Sequence, residues 1–223
     1  VIIAIDGPSG AGKSTLAKRL ARELGFTYLD TGALYRALAL KVLRQGVDLA
    51  DDARMAELLS STAIDLREER GKLVVLMDGQ DVAGDIRTPE VSQTASKASA
   101  LGSVRARLLE LQRDLGKRGS VVAEGRDIGT VVFPDAEVKI FLDASVGERA
   151  RRRYQELRAA GRSVQLEETL QEMEERDRRD SERDLAPLCQ AADAVRVDSS
   201  AADAEQVAAI VLDLVNQRRA RKN

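Results

Sequence analysis

Histidine is absent from the 223 residues, and cysteine occurs once, at Cys189. Without histidine there is no Ser-His-Asp hydrolysis, no Cys-His nucleophile, no phosphohistidine intermediate and no ordinary zinc site. A single cysteine rules out an internal disulfide and fits a reducing compartment. Aromatic residues make up only 3%, few for stacking on the bases of a nucleic acid. Lys and Arg total 35 against 37 for Asp and Glu, a net charge of −2. No global basic field exists for a polynucleotide or an anionic membrane. No apolar run approaches the roughly 18 residues needed to span a bilayer. The first residue already reads as part of a strand, which leaves no room for a targeting segment, and a cytoplasmic location is expected. No internal repeat, low-complexity tract or long linker is visible. Chemistry in such a chain must run on arginine, lysine, carboxylates and a bound metal. Phosphoryl transfer tolerates that restriction best, because its catalysis is mostly positioning and charge neutralisation.

What is present begins at the first residues. Gly7-Pro8-Ser9-Gly10-Ala11-Gly12-Lys13-Ser14 matches G-x-x-x-x-G-K-[ST] in full. The apolar, β-branched run Val1–Ile5 before it reads as a buried parallel strand. After it, Leu16, Ala17, Leu20, Ala21 and Leu24 have helical spacing. A strand, a glycine-rich loop and a helix N-terminus together make an anion site, with backbone N–H groups and the helix dipole directed at phosphate. Gly7 through Thr15 are therefore expected to hold a nucleoside triphosphate, with Lys13 reaching its β- and γ-phosphates and the Ser14 hydroxyl ligating Mg²⁺. The bland alternative is a chance glycine-rich turn.

A length of 223 residues and 43% hydrophobic content suit one domain with a buried core. Further strands are expected at Phe26–Leu29, Ser120–Ala123, Val138–Leu142 and Val195–Val197. Helical patterns occupy Leu34–Leu43, Val104–Leu115, Val146–Ala160 and Ala204–Val215. Strands alternating with helices predict a parallel sheet covered on both faces. From about Ser61 to Ile86 the alternation breaks, and Asp78-Gly79 is a hairpin signal, so a small antiparallel β insertion is expected there. Asp81-Val82-Ala83-Gly84 has the D-x-x-G form of GTPases, but no N-K-x-D follows, and it reads as a turn. Glu148–Asp184 is densely charged with both signs: either solvated helices with i,i+4 pairs or a lid whose arginines close over triphosphate. Arg218–Asn223 reads as a frayed basic helix end.

Two further segments sit at predicted strand C-ends, where open α/β sheets place ligands. Asp30-Thr31-Gly32-Ala33-Leu34-Tyr35-Arg36 offers a hydroxyl, a glycine and an arginine at a helix start. It suits a second phosphate-bearing ligand, or else a helix capped by Thr31. Glu124-Gly125-Arg126-Asp127 would project Arg126 and Asp127 over the sheet edge, or form a surface turn with a local ion pair.

At this point the residues carry a resemblance. Ile5–Ser14, Asp30–Arg36, Gly84–Thr88, Gly125–Ala136 and Lys139–Ala144 together resemble the bacterial cytidylate kinases, in family order and over nearly the whole chain. The resemblance implies a single P-loop kinase domain over 1–223, α/β in class. It would have a five-stranded parallel core flanked by helices, a monophosphate-binding insert at about 61–101 and a short helical lid at about 148–165. It implies Mg²⁺-dependent transfer from ATP to CMP or dCMP. By the same resemblance Thr31, Arg36 and Arg126 would hold the CMP phosphate. Ser96, Arg105 and Asp127 would read cytosine, and Arg176 and Asp180 would contact the ribose. Arg183 would approach the transferred phosphate, Arg152 and Arg153 would embrace the triphosphate, and Glu124 would help arrange Mg²⁺ through water. The partners implied are small molecules, with no nucleic acid and no membrane, and the lack of an obvious coiled coil or long apolar helix face suggests a monomer. Another P-loop kinase and a non-catalytic nucleotide switch remain as alternatives.

Overall fold

The computed structural model describes residues 1–69 and 72–220. In chain order the first half comprises β1 (Ile2–Asp6), α1 (Lys13–Leu24), β2 (Thr27–Asp30), α2 (Thr31–Gln45), α3 (Asp52–Ser61), β3 (Ile64–Glu69), β4 (Lys72–Met77) and β5 (Gln80–Asp81). The second half comprises α4 (Pro89–Ala98), α5 (Gly102–Gly116), β6 (Val121–Gly125), β7 (Val138–Asp143), α6 (Val146–Ala159), α7 (Leu166–Glu182), β8 (Val195–Asp198) and α8 (Ala204–Ala220). β1 is the middle strand of a five-stranded parallel sheet of order β2-β6-β1-β7-β8.

Why the strands read as unbroken apolar runs is visible in how β1 divides its side chains. Ile3 and Ile5 enter a core with Leu16 and Leu20 of α1 and Val207 and Val211 of α8. Ala4 enters the opposite core with Leu34 and Leu38 of α2 and Leu108 of α5. Both faces are covered, so period-two alternation of polar and apolar residues is lost.

The expected β insertion is present. β3, β4 and β5 form a separate antiparallel sheet, and Asp78 (φ 51°) and Gly79 (φ 82°) make the two-residue turn between β4 and β5. It starts at Ile64, because Ser61 closes α3. The D-x-x-G segment is indeed a turn, with Asp81 Oδ1 accepting from Ala83 N at 2.9 Å. Of the expected basic end, Arg218 lies in α8, while residues 221–223 lie outside the described residues.

α3 and α4 were not expected from the sequence, and α7 only as part of a charged stretch. α4 carries a legible start nonetheless, Thr88 capping Val91 N with Pro89 in the first turn. α7 buries only Thr169, Met173 and Asp180, so its inward face is partly polar and hidden from a hydrophobic pattern. No helix among the described residues is long and apolar enough to cross a membrane.

Candidate active site

The carboxyl edge of the sheet opens into a cleft of about 870 Å³. Its walls are the loop from Ser9 to Thr15, the start of α2 at Gly32 and Arg36, the end of β6 at Glu124–Arg126, Arg152 and Arg153 of α6, and Met173 and Arg176 of α7. Strand register brings this about: Asp6 pairs with Gly125, and Asp30 with Glu124, at one level of the sheet.

On one side stands the glycine-rich loop. A Cβ on Gly7 would fall 1.9 Å from the Leu142 carbonyl oxygen, and its φ is +148°. Only glycine lets β1 turn away from β7 so abruptly. α1 then starts from Gly12 with no side-chain cap, which leaves its first amides free for an anion. Lys13 is buried and donates to the Pro8 carbonyl at 2.7 Å. Burial, with Arg126 nearby, drives its ammonium well below the usual lysine range against the pull of Glu124. A polyanion beside it would favour the charged form.

Glu124 is buried at the end of β6 and receives the Tyr28 hydroxyl. Ser14, exposed, lines the same cleft beside it. Burial and the neighbouring Asp30 push the Glu124 carboxyl up, opposed by Lys13. Burial and Glu124 likewise raise Tyr28.

On the other side arginines dominate, each held by an acid. Arg36 meets Asp30 at 2.8 Å and Arg126 meets Asp180 at 2.9 Å, while Arg105 pairs with Asp127. Asp30 has a second task. It caps α2 by accepting from Ala33 N at 2.9 Å, so the cap is not Thr31. Thr31 instead donates to the Glu124 carbonyl at 2.7 Å. Gly125 admits that hydroxyl, since a Cβ there would lie 2.7 Å from Thr31 Oγ1. Arg176 is pushed down to about 10 by burial and by Arg126, with Asp180 opposing. Burial alone would raise Asp180, but Arg126 and Arg176 hold it below the ordinary carboxylate range. Among the described residues the buried Nε atoms of Arg36 and Arg176 have no hydrogen-bond partner, Arg176 Nε lying 3.9 Å from Asp180 Oδ2, which leaves donors suited to phosphate oxygens.

Several sequence-derived positions lie beside the open cleft rather than on its wall. Ser96, Arg105, Asp127 and Asp180 are buried. Ser96 Oγ donates to Asp180 at 3.1 Å. Asp127 does not overhang the sheet edge as the sequence suggested; the backbone after Gly125 folds into a single π-helical turn, Ile128–Val132, that keeps it inside. Arg183 belongs to this cluster too, 2.9 Å from Ser99 Oγ and 3.8 Å from Asp127. Burial and Arg105 lower it from the usual arginine range. Arg152 reaches the cleft while held by Glu148 at 3.0 Å and the Ser199 carbonyl at 2.6 Å. Arg153 pairs with Glu156 at 3.3 Å.

Among the residues sequence reasoning missed, Asp6 is the most buried acid near the loop. It accepts from Ile128 N and Gly129 N at 2.7 Å each, so the strand before the loop anchors the turn after Asp127. Burial raises it to about 6 despite those bonds, and Asp127 adds to the rise. An acid closing an otherwise apolar strand was the available signal.

The family model described as cytidylate kinase matches residues 3–217. The chain belongs to the cytidylate kinase family. A relative named cytidylate kinase from Pelotomaculum thermopropionicum is 51% identical, covering 97% of this chain and 96% of its own. Another of that name from Solibacter usitatus is 53% identical, covering 98% and 93%. In Synechococcus elongatus a protein named bifunctional pantoate ligase/cytidylate kinase is 52% identical over 97% of this chain and 42% of its own length. Membership in the cytidylate kinase family makes the chain a kinase, and the parallel sheet, phosphate loop and β insert are the fold expected of one.

Proposed function

We propose that the chain transfers the γ-phosphoryl group of Mg²⁺-ATP to CMP or dCMP, giving ADP and CDP or dCDP. The observation that carries this reading is the division of one cleft into two anion-binding sides, a loop of free amides facing a set of arginines. The triphosphate lies in Gly7–Thr15 against Lys13, with Arg152 and Arg153 above it. The acceptor phosphate lies against Thr31, Arg36 and Arg126. Arg176, which lines the cleft, serves the phosphates, while Arg183 joins Ser96, Arg105 and Asp127 at the base end. This differs from the roles that the resemblance implied, the ribose for Arg176 and the transferred phosphate for Arg183. Asp180 stands between them, next to the ribose.

Mg²⁺ suits the donors at hand. Ser14 and Glu124 offer hard oxygens, and no cluster of three or more His, Cys, Asp or Glu close enough to hold a metal occurs among the described residues. Such an ion is completed by phosphate and water. When bound it supplies positive charge where negative charge gathers on the phosphates.

No general base is needed. The acceptor phosphate has a second pKa near ~6 and is mostly dianionic at neutral pH. The obstacle is repulsion, about 4 kcal/mol for two like charges ~4 Å apart at an effective dielectric of 20. Lys13, Arg36, Arg126 and Arg176 offset it before in-line attack. At the base end Arg105 donates to Asp127 Oδ2, while Oδ1 has Arg183 at 3.8 Å, beyond hydrogen-bond distance, and would accept the exocyclic amine of cytosine. Uracil presents a carbonyl there and mismatches the carboxylate. The insert, about 61–101, closes on the acceptor, and the stretch of about 148–165, most of α6 and the turn after it, acts as the lid that keeps water from the γ-phosphate.

The test is ADP release from Mg²⁺-ATP with CMP, dCMP, UMP, AMP or no acceptor. Strong release with CMP and dCMP, weak release with UMP and almost none without acceptor is the expected result. Release independent of acceptor would overturn the reading in favour of an ATPase.

A further inference from the structure

Arg149 is the most enclosed arginine side chain near the cleft that the proposed chemistry leaves unused. It lies in the first turn of α6, with 5% of its side chain exposed. Its guanidinium joins three elements: Nε donates to the Ala144 carbonyl at 2.8 Å, one NH2 group to the Ser9 carbonyl at 3.1 Å, and the other to Asp177 Oδ2 at 2.6 Å. Ser9 belongs to the glycine-rich loop, Ala144 follows β7, and Asp177 lies on α7. The other Asp177 oxygen is buried without a partner, so this carboxylate depends on Arg149.

Packing repeats the connection. A Cβ on Gly10 would lie 3.0 Å from Met173 Cε of α7 and 3.1 Å from Arg149 Cβ. One turn of α7 thus rests on the loop at Gly10, and the next is tied to it through Asp177. The same helix turns Arg176 into the cleft and carries Asp180, which receives Arg126 and Ser96. Asp177 is flanked in sequence by the first of these and stands three residues from the second.

We infer that Arg149 is a positioning residue that couples the loop holding the donor phosphates to the helix presenting Arg176 and Asp180 to the acceptor. It touches neither reactant. A planar guanidinium with diverging donors can hold three acceptors at once, whereas a lysine ammonium on its flexible stem cannot reproduce that fork. The inference rests on the kinase reading, since it assigns the donor to one end of the clasp and the acceptor to the other.

The experiment uses Arg149→Lys, Asp177→Asn and the double variant in full-length protein. Steady-state kinetics with Mg²⁺-ATP and CMP should show kcat lowered roughly 10- to 100-fold in each single variant, the scale of loss when reacting groups are slightly misplaced. Both KM values should change little, because the coupling is felt at attack rather than on binding. The double variant should be no slower than the slower single one, as for two halves of one interaction. In parallel, hydrogen exchange with and without ADP should show protection of residues 166–182 by ADP in the unmodified protein and loss of that protection in Arg149→Lys. Unchanged kcat in both single variants, losses that multiply in the double, or ADP protection that survives Arg149→Lys would each overturn the inference. Asp177→Asn, at a partly exposed carboxylate, keeps the test available if Arg149→Lys does not fold. Acceptor-independent ADP release by the unmodified protein would refute the kinase reading itself, and the exchange measurement would still decide whether the clasp exists.

Discussion

The two sides of the cleft are built from different materials. The donor side is chiefly one stretch of chain, Gly7 to Thr15, joined by Arg152 and Arg153 of α6, and most of what the stretch offers is backbone: a sharp turn and the uncapped amides of α1. The acceptor side is gathered from α2, α4, α5, the end of β6 and α7, and what it offers is side chains in ion pairs. A backbone site depends on shape and hardly at all on which side chains flank it. A side-chain site depends on each residue, and each arginine brings an acid that holds it in place and competes with the ligand.

Lys13→Ala is the sharpest challenge to that contrast, because Lys13 is the charged side chain that the loop itself contributes to the proposed chemistry. Loss of such a preorganised charge should lower kcat roughly 1000-fold in the ADP-release assay, while the loop amides still bind ATP. Gly7→Ala tests the backbone half. The added methyl meets the Leu142 carbonyl at 1.9 Å, so the variant should lose about 3 kcal/mol or more in thermal or urea unfolding. An unchanged melting temperature would mean that the turn is not constrained. Arg36→Ala tests the other half: the KM for CMP should rise roughly 10- to 100-fold, the worth of a charge-assisted hydrogen bond or two, with the KM for ATP nearly constant. Parallel rises in both KM values would erase the division into sides.

Asp127→Asn keeps the shape of the base end and supplies an amide that can donate to a uracil carbonyl. The CMP-to-UMP ratio of kcat/KM should narrow by about tenfold. A ratio that stays put would remove Asp127 from base recognition. The smallest effect concerns Asp6, which joins the two sides by holding the turn after Asp127. Its folded value of about 6 lies above the ordinary 3.8, so the folded state holds this proton more tightly. Its contribution to stability is therefore greatest below pH 3.8 and is lost as pH rises through about 6. Urea unfolding at pH 7 and pH 4.5 should show the unmodified protein gaining on Asp6→Asn at the lower pH. Parallel behaviour of the two would show that Asp6 does not titrate with folding.

Much of this was readable in the chain. All five parallel strands and the β insert fell close to where apolar runs and Asp78-Gly79 put them, because burial on both faces or a two-residue turn leaves a local mark. α7 left none, since its inward face carries Thr169 and Asp180 besides Met173. That is also why Arg176 and Arg183 were hard to tell apart. In a segment where Arg and Asp recur, only the helix's rotation against α4 and the loop decides which arginine faces the cleft and which meets Asp127. Asp30 rather than Thr31 caps α2 for a similar reason: either can cap a helix, and the carbonyl of Glu124, from a strand far along the chain, claimed the threonine.

What the sequence by itself determined is whatever depends on neighbours in the chain. The phosphate loop, the strand before it and the helix after it are contiguous, and their geometry follows from glycine, from β-branched residues and from unpaired amides. The tertiary structure alone decided the partners of the charges that pair across the fold. Arg126 and Asp180 are 54 residues apart, and Arg149 joins Ser9 and Asp177 from separate parts of the chain. An ion pair draws its strength from burial and distance, and neither exists until the sheet and its covering helices have packed.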